Sequence, residues 1–388
     1  MRKPTAALAA LLWIAAAAHA VDPYAGNDPY WVLLHEPAVI AELKLSPAQR
    51  RPFQQLIDNL DLRFFPLRNK AQEPAAAGSA KITSDAQAGL KTLLQPGQHK
   101  RLCELVLRQL GNQALLHDDV ASRLLYSKNQ SQRLKEINEA TQADLAALRK
   151  EASDGKPRPP LEQRFLELQA KQQKKLLEVL TPEQRNALRT LLGPPFDLAK
   201  LGQPRFKAPE LIDTGQWINS PPLQLAKLRG KVVVVHFYAC GCLNCIHNYP
   251  SYRQWHEKFA AQGVVLIGIH TPETASERDS SHVRRKAADD QLAFPILIDG
   301  KNENWNAWGN SIWPCVYLID QRGYLREFWP GELKWHGADG EQYLRKRIEA
   351  MLGEDKKAKS MGPKGSASVP PRGSHVRVDA DLSGTSPP

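Results

Sequence analysis

Between residues 31 and 201 the inward-facing positions return every three or four places, as at Leu134, Ile137, Thr141, Leu145 and Leu148 and again at Leu161, Phe165, Leu168, Leu176, Val179 and Leu180. That period belongs to helices burying one face, and strand signals are almost absent, so the segment is predicted to be all-α. Past residue 203 the pattern changes. The β-branched run "KVVVVHFY" (231–238) reads as a strand buried on both faces, followed by strands at "VVLIGIH" (264–270), "FPILIDG" (294–300), "CVYLID" (315–320) and "YLREFW" (324–329). Stretches at 246–261, 281–291 and 340–352, with a short one at "WNAWG" (305–309), read as the intervening helices. Strands alternating with helices and ending in a hairpin predict an α/β fold, a mixed sheet with helices on both faces, C-terminal to the all-α part.

One pattern recurs in the helical part: "LSPAQRRPFQQL" from Leu45, "LQPGQHKRLCEL" from Leu94, "YSKNQSQRLKEI" from Tyr126 and "LTPEQRNALRTL" from Leu180. Ser46 and Thr181 suit an N-cap, and Pro47 and Pro182 suit the first helical position, where no amide donor is needed. Gln49 and Gln184 suit the return arm of a capping box. Each copy therefore marks a helix start, and the uneven spacing argues against a solenoid of fixed period. Cys103, among Leu102, Leu105 and Val106, reads as a core residue.

A chain of 388 residues exceeds the usual size of one domain, so two folded units are expected, each burying its own core. The break falls in "GPPFDLAKLGQPRFKAP" (193–209), which prolines and glycines interrupt. The first twenty residues have a basic start, an apolar run at 6–18 and small residues at Ala18 and Ala20, the form of a cleavable secretory signal. The expected division is a signal peptide at 1–20, a helical domain at 21–202, an α/β domain at 203–353 and a disordered tail at 354–388, with no transmembrane helix after signal removal. A periplasmic or secreted location follows, and with it an environment in which thiols are oxidised or catalytic. The formal charge of +11 does not by itself indicate a partner, and an exported chain makes nucleic acid an improbable one.

Three of the five cysteines fall in "HFYACGCLNCIHNYP" (236–250), where the first long strand hands over to a helix. A helix N-terminus carries about half a positive charge and unpaired amide donors, which stabilise a thiolate at the first cysteine of a C-x-x-C pair. Cys242 is then the exposed nucleophile, and Cys245, one turn in, the buried thiol that resolves a mixed disulfide. Haem attachment needs His directly after the pair, where Ile246 stands. Cys240, Cys242, Cys245 and His247 also form C-x-C-x2-C-x-H, a soft ligand set suited to copper(I) or zinc, although a helix starting at Cys242 aims these side chains in different directions. No organic cofactor is implied.

Residues 204–353 resemble thioredoxin-like domains of the secreted TlpA and DipZ type, on the C-x-x-C pair, Pro250 after it, "WHEKFAAQGVVLIGIHTPE", "WNAWGNSIWPCVYLIDQRG" and "PGE". The resemblance implies a thiol–disulfide oxidoreductase acting on disulfide-containing proteins, reduction more than oxidation, and recharging by a membrane thiol reductant of the DsbD or CcdA type. It also implies a cis bond before Pro314, with Trp313 and Pro314 shaping the substrate groove. His236 stands where the family has a buried Asp, which suggests that it manages the proton of Cys245. Gly241 replaces the family's Trp and is expected to leave the nucleophile less shielded. Cys240 and Cys315 are extra thiols that could trap or regulate the pair. Thiol peroxidases share this fold but carry Thr three residues before their reactive Cys, where Ala239 stands here. "LTPEQ" and "LSPAQ" resemble the LTxxQ motif of Spy- and CpxP-type periplasmic helical proteins, which implies a chaperone-like role beside that of a plain scaffold.

Overall fold

The computed structural model describes residues 29–153, 158–202 and 205–360. The predicted leader and the tail beyond residue 360 lie outside the described residues. Nine helices come first among them: α1 (Pro29–Leu33), α2 (Pro37–Glu42), α3 (Pro47–Phe64), α4 (Gln72–Leu93), α5 (Pro96–Leu110), α6 (Asp118–Arg123), α7 (Lys128–Ser153), α8 (Arg158–Val179) and α9 (Pro182–Leu192). All four motif copies start helices, and in each the Gln side-chain carbonyl accepts from the N-cap amide, at 2.9 Å for Gln49 and Gln98 and 3.0 Å for Gln130 and Gln184. At Ser127 and Thr181 the hydroxyl accepts in return and completes the box.

The copies also work in pairs, an order that the uneven spacing along the chain conceals. Gln49 donates to Gln98 Oε1 at 2.8 Å and to the Leu93 carbonyl, while Gln98 donates to the Leu43 carbonyl. Gln130 and Gln184 repeat the arrangement, with a 2.7 Å bond between them and donors to the carbonyls of Val179 and Leu124. Each pair ties two helix starts together by satisfying carbonyls at the ends of the preceding segments.

The second part holds β1 (Phe206–Lys207), β2 (Trp217–Ile218), β3 (Val232–Tyr238), α10 (Leu243–Phe259), β4 (Val264–His270), α11 (Ser280–Asp289), β5 (Ile296–Ile298), α12 (Glu303–Ala307), β6 (Cys315–Ile319), β7 (Tyr324–Pro330) and α13 (Gly340–Ser360). The sheet order is β1-β7-β6-β3-β4-β5-β2. β3, β4 and β5 run parallel, and the remaining pairs are antiparallel. This is the mixed sheet that the pattern predicts, in the thioredoxin-like form that the resemblance implies. The two-residue strands β1 and β2 escape a periodicity reading because they are too short to show a period. α13 continues to Ser360, past the residue 354 at which the tail is expected to begin.

The expectation of two units with separate cores does not hold. Alternation along β3 sends Val232, Val234, His236 and Tyr238 to one face and Val233, Val235 and Phe237 to the other. The first face packs on α10, α11 and α13 through Tyr252, Trp255, Val283, Leu344 and Ile348. The second, with Ile267, Ile269, Tyr317 and Leu325, shares one continuous core with Trp31, Ile57, Leu60, Phe64, Phe65 and Leu90 of the helical part. α1 to α5 thus supply the cover of one sheet face. Polar contacts close the seam: Asp61 pairs with His35 at 2.7 Å and accepts from the Lys207 amide, and Tyr324 donates to Asp58 at 2.9 Å. Gly309, at φ +60°, lies so close to the Phe65 carbonyl that a Cβ there would overlap it. Helices α6 to α9 instead bury their own clusters, around Leu124, Leu134, Leu176 and Leu180 and around Leu148 and Leu161.

Candidate active site

β3 ends at Tyr238, and a short turn carries the chain through Ala239, Cys240 and Gly241 to Cys242, the N-cap of α10. The Cys242 carbonyl accepts from the amides of Cys245 and Ile246, both at 3.1 Å, so the pair occupies the first turn. Cys242 is partly exposed and Cys245 is fully buried, the order predicted for a nucleophile and its resolving thiol. A hydrogen bond from the Cys245 thiol, aided by the amides of Cys245 and Asn244, lowers the pKa of Cys242 to about 7 against the opposing effects of burial and Glu273. Burial, and then the bond to Cys242, push Cys245 far up. One thiol of the pair is therefore poised to ionise near neutrality while the other holds its proton.

The Trp313–Pro314 peptide is cis. Because β6 pairs antiparallel with β3, with Cys315 opposite Phe237, the chain enters β6 at the sheet end from which the cysteine motif leaves. Trp313 stacks on Trp305 with centroids 4.2 Å apart, and it packs, like Cys242, against the core that contains Cys245. The Pro314 carbonyl accepts from Gly331 at 2.7 Å. Arg68 of the helical part donates to the Trp308 carbonyl and the Tyr317 hydroxyl, which brackets this loop from the side opposite α10. No sequence signal marks Arg68, since nothing in its neighbourhood along the chain points to the loop.

His236 lies on the face of β3 that α10 covers, as does Cys245. It is fully buried between the rings of Tyr252, at 4.2 Å, and of Tyr238 and Phe294, both at 5.2 Å. Neither ring nitrogen has a hydrogen-bond partner among the described residues, and burial lowers its pKa to about 3, so the imidazole is neutral. Gly241 is exposed, its amide donates to the Glu277 carboxylate at 2.6 Å, and a Cβ on it would lie 2.9 Å from the same oxygen.

The remaining thiols are free, and burial raises the pKa of each. Cys240 is buried and, by burial and by the charge of Glu277, raised to about 12. Cys315 is buried, raised by burial to about 12, and lies 3.1 Å from Asn310 Oδ1. Cys103 is half-buried with its pKa raised by burial, 3.8 Å from His99 Nδ1. His247 is half-exposed beside Glu332, 3.1 Å away, and does not gather with Cys240; the residues that do are His270 and Glu277.

Residues 203–328 match the AhpC/TSA family. Over 128 residues the chain is 38% identical to Protein DipZ of Mycobacterium tuberculosis, a match covering 32% of this chain and 18% of that protein. It is 26% identical over 155 residues to the thiol-disulfide oxidoreductase YkuV of Bacillus subtilis, covering 40% of this chain and 98% of that one. A solved thioredoxin-like superfamily protein is 28% identical, with 38% of this chain and 96% of that one covered and a TM-score of 0.34. The chain thus spans less than a fifth of the DipZ relative it matches. Its C-terminal part, which follows a helical region, is thus similar to AhpC/TSA-type, thioredoxin-like domains.

Proposed function

We propose that this chain is a thiol–disulfide oxidoreductase working outside the cytoplasm, with disulfide-containing proteins as its substrates. The observation that carries the reading is the pair itself: a partly exposed Cys242 near neutrality at a helix N-cap, hydrogen-bonded by a buried Cys245. The Cys242 thiolate attacks one sulfur of a substrate disulfide, and the displaced sulfur leaves as a thiolate and takes a proton from solvent. Cys245 then loses its proton and attacks the Cys242 sulfur, which breaks the mixed disulfide, releases the second substrate thiol and leaves the Cys242–Cys245 disulfide. A thiol reductant of the membrane, of the DsbD or CcdA type, returns two electrons to that disulfide.

A first thiol near 7 supports the reducing direction, because strongly oxidising pairs stabilise their thiolate to a pKa of about 3.5. The form of residues 1–20 supports export. Trp313 and Pro314 line the substrate groove in this reading, and His236, neutral in the buried layer that also holds Cys245, takes part in handling that thiol's proton. The helical region acts by covering the sheet and holding the loop before β6. Recruitment of unfolded clients, which the LTxxQ likeness suggests, is the competing role for that region.

Insulin reduction with the full chain tests the function. Cys242→Ser should abolish turnover, and Cys245→Ser should accumulate a mixed disulfide with substrate. Turnover that survives Cys242→Ser, or hydroperoxide reduction that outpaces disulfide reduction, defeats the proposal. Suppression of client aggregation by the Cys242→Ser chain would assign the helical region to chaperoning.

A further inference from the structure

Three side chains outside the C-x-x-C pair converge just behind it. Cys240 leaves the end of β3, His270 is the last residue of the neighbouring parallel strand β4, and Glu277 comes from the turn at Ser276–Arg278. Register brings the first two together, since Tyr238 lies opposite His270. The Cys240 sulfur, an imidazole nitrogen of His270 and a carboxylate oxygen of Glu277 all lie within 4.8 Å of one another, and Cys240 Sγ is 3.7 Å from Glu277 Oε1. All three residues are buried.

His270 is the anomaly in this group. It is wholly inaccessible to solvent, yet neither ring nitrogen has a hydrogen-bond partner among the described residues. A buried imidazole leaves a lone pair unmet only against a strong penalty, unless something not made of protein meets it. Beside it stand a thiol and a carboxylate, and Lys286 is a cation whose charge also acts on Cys240.

We propose that Cys240, His270 and Glu277 form a binding site for a divalent zinc ion. Sulfur, nitrogen and oxygen donors together suit a borderline cation, and a thiolate with a carboxylate neutralises its two charges. Tetrahedral ligands at zinc bond lengths sit roughly 3.5 Å apart, close to the Cys240–Glu277 separation. Three protein ligands leave the fourth position open. The outer shell is in place: Glu277 Oε2 accepts from the amides of Glu273 and Thr274, at 2.7 and 2.9 Å, which aims Oε1 at the cluster. Residues 273–276 are exposed, so the segment delivering Glu277 lies at the surface, where an ion enters. Binding exchanges the Cys240 proton for the metal and releases it to solvent. The site is distinct from a cluster built on Cys242, Cys245 and His247, and it does not depend on the redox reading.

The test uses the reduced full chain, kept anaerobic, loaded with equimolar zinc sulfate and passed through a desalting column. One zinc per chain should be retained by the wild type and by the Cys242→Ser/Cys245→Ser double variant, and lost from Cys240→Ser and from His270→Gln. Cobalt(II) in place of zinc should give a charge-transfer band from a single thiolate that is absent in Cys240→Ser. Metal-free melting curves of the two ligand variants that match the metal-free wild type exclude misfolding as the cause. No retained zinc in the wild type, or zinc kept by Cys240→Ser and lost from the double variant, overturns the proposal. The second result would move the ion to the C-x-x-C pair, and the insulin assay would still stand on its own.

Discussion

The guanidinium of Arg68 donates to the hydroxyl of Tyr317 at 3.0 Å, joining the helical region to β6 just past the Trp313–Pro314 bond. The same group lies over the rings of Phe328, Tyr317 and Phe65, at 4.8, 5.6 and 5.5 Å. Arg68→Ala removes two hydrogen bonds and these cation–π contacts, and the expected loss is about 1–3 kcal/mol. Urea unfolding should register it. An unchanged midpoint would mean that the seam does not need this residue.

Because one sheet face is covered by α1 to α5, residues 203–360 expressed alone should expose Val233, Val235, Phe237, Ile267, Ile269 and Tyr317. That is a large contiguous apolar surface. The fragment should aggregate or bind a hydrophobic dye, whereas the full chain does not. A monomeric, dye-silent fragment with the melting point of the full chain would contradict the shared core.

The thiolate is the attacking form, so the rate constant for insulin reduction below saturation should rise with pH through about 7 and then level off. Cys245→Ala deletes the thiol that hydrogen-bonds Cys242 and should move the titration toward the ordinary thiol range. Ultraviolet absorbance of the Cys242 thiolate in that variant reads the shift directly. A titration that stays near 7 would assign the depression to the helix N-terminus alone.

His236 is held neutral by burial, with a folded-state pKa of about 3. The unfolded chain binds a proton at this site once the pH drops below about 6.5, whereas the folded chain does not until about 3. Stability is therefore full above that window and falls through it as pH is lowered, by about 2 kcal/mol at pH 5. Denaturant titrations at pH 7 and pH 5 should show a smaller drop for His236→Phe than for the wild type. Acid sensitivity that is unchanged in this variant would show that the buried imidazole is not the group responsible.

Thr181→Ala removes the hydroxyl that caps α9, at an expected cost of about 1 kcal/mol. Gln184→Ala should cost more, since that side chain also serves the Leu124 carbonyl and Gln130. Because α6 to α9 bury their own cluster, amide exchange should quicken there and leave β3 protected. Equal loss of protection in the sheet would show that the two halves unfold as one.

Much was legible along the chain. The 3.6-residue and two-residue periods locate the helices and the longer strands, since each period states which residues share a face. Proline and glutamine at fixed offsets mark the helix starts, because a helix end must satisfy its own amides. Cys242 and Cys245 can be read as an exposed and a buried thiol, because a strand that ends just before them puts the first at a helix mouth and the second one turn deeper.

Tertiary structure alone decided the rest. A buried stripe says that a face is covered but not by what, so the union of Trp31, Phe64 and Phe65 with Val235 and Phe237 in one core appears only when the helices dock on the sheet. Likewise Gln49 finds Gln98, and Gln130 finds Gln184, across separations that local spacing does not encode. Cys240, His270 and Glu277 belong to three successive segments, and only the parallel register of β3 with β4 and the inward turn of the following loop bring them together. Local sequence sets conformation through short-range sterics and hydrogen bonding; which distant surfaces meet is set by the exclusion of water from all of them at once.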